Sequence, residues 1–344
     1  MKRALVTGIS GQDGHYLTRL LLSKGYTVFG TVQSPASIVR FKRAFSEEQA
    51  QSLHVECVSL SDSSNVMRIV KDSEPHEIYN LAAQSFVSLS FNNPEYTADI
   101  NALGTLRLLE AMRILGLKDT RFYQAGSSEV FGKATETPQT EATPFNPCSP
   151  YAVSKQFAFW TVKNYRDSYQ TFACNGILYN HESPLRGEHF VTKKITRSLV
   201  RIQQGIEQQF MLGNLDARRD WGHAQDYVYA QWLMLQQDIP DDFVIATGKQ
   251  RSIREFVFAA AAVLGMDIVW EGHGMDEKGI DTRSGKCIIA VDPQLFRPSE
   301  VTGIVGDSRK ARDVLGWTPR ISFEDMIQEM IEFDLENANM CQER

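Results

Sequence analysis

The sequence predicts an α/β protein in which a doubly wound parallel sheet is followed by a smaller, mixed α/β C-terminal domain. Three observations carry that expectation. Short β-rich runs alternate with helical stretches through the first half of the chain. A glycine-rich turn joins the first such run to the first helix. After about residue 180 the alternation decays into loops rich in charge and glycine, and helical patterns return only later.

The β-rich runs are "RALVTG" (3–8), "TVFGTV" (27–32), "LHVECVSL" (53–60), "EIYNLAA" (77–83), "RFYQAG" (121–126) and "FACNGILY" (172–179). Helical stretches lie between them at 15–25, 96–116 and 149–170. Strands that alternate with helices imply parallel β-α-β units. Beyond them, "HESPLRGEH" and "GNLDARRDWGH" read as loops, and "SIREFVFAAAAVLGM" and "SFEDMIQEMIEFDLENA" as helices. The expected division is a nucleotide-binding sheet domain over 1–180 and a second domain over 181–344, with a segment near 220–250 returning to the first.

The composition excludes several classes of function. With 344 residues, 42% apolar and 23% charged, the chain is an ordinary globular protein. A formal net charge of −6 gives no basic footprint for nucleic acid, although local arginines leave an anionic small-molecule substrate open. The five cysteines, Cys57, Cys148, Cys174, Cys287 and Cys341, are scattered and never spaced as C-x-x-C. That pattern argues against a disulfide framework and fits a reducing compartment. The seven histidines show no metal-ligand spacing, so no metal is expected. "MKRALVTG" enters a β-like run at once, and no apolar run reaches the ~20 residues of a membrane helix. The expectation is a cytoplasmic protein with no membrane partner.

In "VTGISGQDGHYL", Gly8, Gly11 and Gly14 follow a strand and open a helix. A backbone bare of side chains there can approach a pyrophosphate, which then faces the N–H groups of the helix start. This is the fingerprint of a dinucleotide-binding, Rossmann-type domain. Readers of NAD usually place an acidic residue after the second strand. Here no acid occurs between Asp13 and Glu47, whereas Ser34 follows the strand and Arg40, Lys42 and Arg43 come soon after. NADP is therefore expected ahead of NAD; the alternative is that those bases form a solvated helix face.

"SPYAVSKQ" sets Tyr151 and Lys155 four apart on an expected helix, so both project from one face. An ammonium near a phenol favours the phenolate and lowers the tyrosine pKa toward neutrality. Such a tyrosine can take a proton from an alcohol while hydride leaves the same carbon. Ser127, at the end of the fifth strand, can hydrogen-bond the reacting oxygen. Glu129 has two readings from its position: a surface or capping carboxylate, or a base for the acidified proton beside a transient ketone.

Taken together, the glycine loop, Ser127 and the Tyr151/Lys155 pair resemble the extended short-chain dehydrogenase/reductases. A longer ordered set, "TGISGQDGHYL", "NLAAQSFV", "SSEVFG", "YAVSK", "NHESPLRGEHFVTKKI", "LGNLDARRDWGHAQDYV", "FRPSEV" and "KARDVLGWTP", is similar to the GDP-mannose 4,6-dehydratase family. That resemblance implies a lyase that turns GDP-mannose into GDP-4-keto-6-deoxymannose with a recycled NADP, and it assigns Glu129 the base role. It implies Ser127, Glu129, Tyr151 and Lys155 as catalytic residues. For the cofactor it implies Gly8, Ile9, Ser10, Gly11, Gln12, Asp13 and Gly14, then Ser34, Arg40 and Leu60. Leu81, Ala82, Ala83, Gln84, Ser85, Tyr96, Lys155, His181 and Arg186 complete that set. For the sugar nucleotide it implies Ser85, Asn180, Val191, Lys194, Leu212 and Gly213, with Arg219 and Arg297 on the pyrophosphate and Glu300 on the ribose hydroxyls. The family also implies a homo-oligomer, a dimer or a tetramer.

The chain departs from the family pattern where cofactor and sugar are read. Gln33 and Ser34 stand where arginines are expected, and the loop after the second strand is shorter. Ser59 replaces an aspartate expected beside the adenine, Ser127 replaces the more usual threonine, and Leu185 and His189 also deviate. NADP preference and tetramer formation are the properties these changes touch. A roomier pocket also leaves a GDP-manno-heptose as an alternative substrate. A 4-reductase or epimerase would use Tyr151 without Glu129 as base, and a cofactor-sensing binding protein would use neither.

Overall fold

The computed structural model describes residues 1–296 and 304–342. Six strands come first: β1 (Arg3–Thr7), β2 (Thr27–Val32), β3 (Leu53–Cys57), β4 (Glu77–Asn80), β5 (Arg121–Ala125) and β6 (Ala173–Leu178). The chain then leaves the sheet through β7 (Asn180–Glu182), β8 (Phe210–Leu212) and β9 (Arg218–His223), and returns as β10 (Asp242–Ile245). The main sheet has the order β10-β6-β5-β4-β1-β2-β3, and every neighbouring pair is parallel. The connections run one way from β1 to β3 and the other way from β4 onward. Between β1 and β4 they diverge and leave a crevice beyond the C-terminal strand ends, the place where open α/β sheets hold ligands.

Alternation along each strand sends side chains to two buried layers. Val6 joins a core with Leu17 and Leu21 of α1 (Gln12–Ser23), while its neighbour Leu5 joins the opposite layer. On the second face lie Val66 of α4 (Ser63–Ser73), Leu108 of α7 (Gly104–Ile114) and Val162 of α8 (Pro150–Tyr169). Burial on both faces explains why these strands read as nearly continuous apolar runs. Short helices α2 (Pro35–Lys42) and α3 (Glu47–Gln51) link β2 to β3, and α5 (Val87–Asn92) and α6 (Pro94–Ala98) follow β4. The stretch expected as one helix over 96–116 is α6, a wide π turn at Asp99–Leu103, and α7. The wide turn carries buried Asn101 inward, where it bonds both the N–H and the carbonyl of Gln84, and the Ser154 hydroxyl.

The second lobe has its own core, in which Ile195 and Leu199 of α9 (Val191–Gln203) meet Trp221, Phe256, Ile289 and Ile327. Whereas α10 (Ala224–Met234) packs on α1 and puts Tyr227, Val228 and Met234 into the core of the main sheet, the second lobe contains α11 (Ile253–Val263). Two small sheets serve it. One has the order β11 (Gln250–Ser252), β9, β7; the other runs β12 (Ile268–Glu271), β13 (Lys278–Asp281), β14 (Lys286–Val291), β8. Helices α12 (Arg309–Leu315) and α13 (Phe323–Gln342) close the chain. Among the described residues no helix is long and apolar enough to cross a membrane.

Candidate active site

The crevice at the sheet's switch point opens into a cavity of about 410 Å³. Its phosphate-loop wall is Gly8, Ser10, Gly11, Gln12, Asp13 and Gly14. Gly8 has a φ of +66°, and a Cβ there would lie 2.8 Å from the Ala82 Cα. Only glycine lets β1 turn while β4's extension passes so close. Helix α1 begins after Gly11 with no side chain on its cap, so backbone N–H groups at its start keep their capacity for an anion. This bare cradle fits a dinucleotide pyrophosphate. Leu81, Ala82, Ala83 and Ser85 form the wall after β4. Ser127 and Glu129 follow β5, Tyr151 and Lys155 come from α8, and Asn180, His181 and Arg186 come from β7 and the segment after it.

Helix α8 is started by Ser149, whose hydroxyl accepts from the Ala152 N–H at 3.1 Å, with Pro150 in its first turn. That fixes Tyr151 and Lys155 in the first two turns, over the end of β5. The Ser127 hydroxyl accepts from the Glu129 N–H at 3.2 Å and shares a hydrogen bond with the Tyr151 phenol. Ser127 and the short turn that it caps, Ser128–Phe131, thus bring the hydroxyl and the carboxylate to the cavity that the phenol enters from α8. The Lys155 ammonium donates to the Ala125 carbonyl at 2.9 Å and lies 5.9 Å from the centre of the Tyr151 ring.

The charge balance differs from the sequence expectation of a phenol near neutrality. Burial pushes the Tyr151 phenol up to about 12, against the Ser127 hydrogen bond and the Arg186 charge, with Glu129 and Asp13 adding to the rise. Burial also draws Lys155 down to about 8, opposed by the charge of Asp13. The lysine is turned to a backbone carbonyl instead of the phenol oxygen, which is why burial prevails at Tyr151.

Across the cavity, His181 Nε2 lies 3.0 and 2.9 Å from the two Asp13 carboxylate oxygens. Burial opposes the charge on each partner, but their attraction holds Asp13 down at about 2 and raises His181. Arg186 pairs with buried Glu182 at 2.9 Å and lies 3.5 Å above the Phe190 ring. Glu182 accepts from the Thr192 hydroxyl at 2.6 Å as well, so the guanidinium is anchored from β7.

Several expected residues stand apart from the cavity. Ile9 is wholly buried in the core under α1. Buried Gln84 bonds the Phe86 N–H and the Thr97 hydroxyl and so shapes the wall from behind. Ser34 precedes α2 and bonds the Ser37 hydroxyl at 2.9 Å, while Arg40 is exposed on the last turn of α2. Half-exposed Tyr96 accepts from Gln33 Nε2 at 3.1 Å. In the second lobe, Val191 and Lys194 lie in the first turn of α9, Leu212 ends β8 and Gly213 follows it. A Cβ on Gly213 would lie 2.8 Å from the Leu295 carbonyl oxygen, and the Leu212 carbonyl accepts from the Asp292 N–H. Lys194 is half-buried, which lowers its pKa against the charges of Asp292 and Glu207. Arg219 lies on β9 and donates to the Arg218 carbonyl. Arg297 and Glu300 lie outside the described residues.

Sequence reasoning missed Ser37, Tyr179 and Phe190 as cavity walls, and treated Gln33 and Ser59 only as departures from a pattern; all five line the cavity. The signal that finds Gln33, Ser59 and Tyr179 is their place just past the C-terminal ends of β2, β3 and β6.

Residues 5–330 match the family model described as GDP-mannose 4,6 dehydratase. The chain is 53% identical to a GDP-mannose 4,6-dehydratase of Vibrio cholerae, over 98% of this chain and 95% of that one. It is 49% identical to GDP-mannose 4,6 dehydratase of Homo sapiens, over 97% and 91%. Among solved structures it is similar in fold to UDP-glucose 4-epimerase from Bifidobacterium longum in complex with NAD+ and UDP. There the TM-score is 0.81 at 21% identity, over 98% of this chain and 99% of that one. A dTDP-glucose 4,6-dehydratase from Bacillus anthracis in complex with NAD gives 0.80 at 20% identity, over 98% of each chain.

Proposed function

The chain belongs to the GDP-mannose 4,6-dehydratase family, and from that premise we propose that it is a hydro-lyase converting GDP-mannose to GDP-4-keto-6-deoxymannose and water. The observation that carries this reading is a carboxylate, Glu129, sharing one cavity wall with Ser127, Tyr151 and Lys155. A simple alcohol dehydrogenase has no use for it. When bound, the nicotinamide supplies a hydride acceptor toward C4 of the hexose, a donor toward C6, and a positive charge near the phenol. Ser127 bonds the C4 oxygen, and the Tyr151 oxygen takes that hydroxyl's proton. Lys155 steadies the phenolate. The ketone so formed acidifies the C5 proton, which Glu129 removes. The protonated carboxyl then passes its proton to the C6 hydroxyl, which leaves as water, and Tyr151 returns its proton to C5. Every proton taken is given back within one turnover.

NADP is the cofactor of this proposal. Gln33, Ser37 and Ser59 are the polar groups facing the cavity beyond β2 and β3, and none is a carboxylate that would repel a 2′-phosphate. The walls of the phosphate loop and of the segment after β4 hold the remainder. Arg219, Lys194 and Arg297 serve the sugar nucleotide's pyrophosphate, and Asn180 and Ser85 its sugar side. The protein self-associates through α8, whose outer face leaves Val153, Phe157 and Trp160 exposed in one stripe. Its four described cysteines are free, as befits the cytoplasm. Ser127 lacks the methyl of a threonine, which favours a GDP-manno-heptose as the second substrate to test.

Purified protein with no nicotinamide added is expected to turn GDP-mannose over repeatedly, each product lighter by one water in mass spectrometry. A GDP-manno-heptose is run beside it. Turnover that stops once the cofactor brought by the protein is consumed would overturn the redox-neutral cycle.

A further inference from the structure

Behind the cavity wall, one buried carboxylate has no part in the chemistry above. Successive residues of a strand face opposite ways. In β7, His181 and, just past the strand, Ser183 meet Asp13 and Gln12 of α1, whereas Glu182 between them faces α9. Glu182 is 1% exposed and stands behind the wall, but the arginine it pairs with lines the cavity. Its Oε2 lies 2.9 Å from the Arg186 Nε and accepts from the Thr192 hydroxyl at 2.6 Å. On its other side the guanidinium carbon lies 3.5 Å from the centre of the Phe190 ring. The backbone between the two charges is tightly turned: the Arg186 N–H donates to the Ser183 carbonyl at 3.0 Å, and the Leu185 N–H to the Ser183 hydroxyl at 3.2 Å.

An arginine is long, and an unheld guanidinium gives up much side-chain freedom when it grips a ligand. Here that freedom is removed in advance. The Nε edge is taken by Glu182 and one face lies on Phe190, so the two terminal nitrogens remain as donors for a ligand in the cavity. Phe190 in turn meets the Phe86 ring at 6.3 Å, beside Ser85 on the opposite wall. The charge of Arg186 acts on the Tyr151 phenol, which puts it at the reacting end of the cavity and away from Gln33, Ser37 and Ser59. Resting on the cofactor reading above, we propose that Glu182, with Thr192, is a positioning residue that aims the Arg186 guanidinium at the nicotinamide half of the bound dinucleotide. The carboxamide, ribose and phosphate oxygens of that half are acceptors of the kind a guanidinium recognises. Glu182 acts through the arginine alone, by holding it ready before the ligand arrives.

Binding of two probes separates this from a merely structural role. Full-length protein freed of bound nucleotide is titrated with NADPH and with adenosine 2′,5′-bisphosphate, which carries the adenosine end without the nicotinamide half. Glu182→Gln keeps the size of the side chain and an acceptor for Thr192 but removes the charge. It is expected to weaken NADPH by about 10-fold or more and to leave the bisphosphate within about twofold. In an Arg186→Met background the same change is expected to cause no further loss, because its effect passes through the arginine. The Thr192 variants carry the prediction with both charges in place: Thr192→Val weakens NADPH in the same direction, and Thr192→Ser restores it. Equal losses for the two probes would mark Glu182 as merely structural and overturn the proposal. Undiminished NADPH binding, or losses that add to those of Arg186→Met, would overturn it as well. Parent protein that binds neither probe would sink the cofactor reading and the proposal together, whereas the other failures leave that reading standing.

Discussion

At the scale of single residues, the account turns on which proton each side chain holds. Tyr151 is pushed up to about 12 by burial, so it cannot work as a free phenolate at neutral pH. In the proposed cycle it takes a proton only as a positive charge and the substrate's hydroxyl arrive together, with Ser127 already hydrogen-bonded to the phenol. Glu129 begins its task in that cycle only after the ketone exists. Replacing it by Gln keeps its size and its place after β5 but removes the base. Glu129→Gln is expected to lower kcat for dehydration by roughly 10²–10⁴-fold, with KM for GDP-mannose little changed. Steady-state measurement of 4-keto-6-deoxy product decides it; a variant within a few-fold of the parent would return Glu129 to the surface-carboxylate reading.

At the scale of elements, the site depends on how firmly the second lobe presents the segment after β7. Helix α9 and the C-terminal helix α13 are joined there by a buried pair. Lys193 Nζ meets Asp334 at 2.5 Å and the Pro184 carbonyl at 3.0 Å, while the Thr196 hydroxyl donates to the other Asp334 oxygen at 2.7 Å. Both side chains of the pair are almost wholly buried. Removing one partner leaves the other charged in an apolar core, so Lys193→Met is expected to cost about 3–5 kcal/mol of stability. Adding Asp334→Leu to it should recover most of that loss, since no charge is then stranded. Urea unfolding of the two variants beside the parent is the measurement, and additive losses would show that the pair is not coupled. Pro184 lies two residues before Arg186, so the single variant is also expected to loosen the Arg186–Glu182–Thr192 anchor.

At the scale of the whole molecule, the doubly wound parallel sheet and its phosphate loop were legible because they depend on local patterns, whereas the strand order was not. Alternating strand and helix fix parallel β-α-β units, and glycines at the end of β1 mark the phosphate wall. Ser127, Glu129, Tyr151 and Lys155 were legible as candidates because each lies within a few residues of a strand end or a helix start. What could not be read were meetings across the chain. Asp13 and His181 are 168 positions apart, and neither neighbourhood hints at the other. The turn of Lys155 toward the Ala125 carbonyl, which leaves the phenol high, is likewise a product of packing. The π turn at Asp99–Leu103 hides inside a pattern that reads as plain helix, and buried Asn101 within it meets Gln84, a contact 17 positions away. These non-local placements set the protonation of the site, whereas the local ones set its membership. The central claim is that a carboxylate on one wall strips C5 while the phenol on the same wall serves the C4 oxygen. The most direct measurement is the isotopic content of product formed from GDP-mannose in deuterated water. The account predicts deuterium at C5 and water lost from C6; product that keeps its original hydrogen at C5 would contradict it.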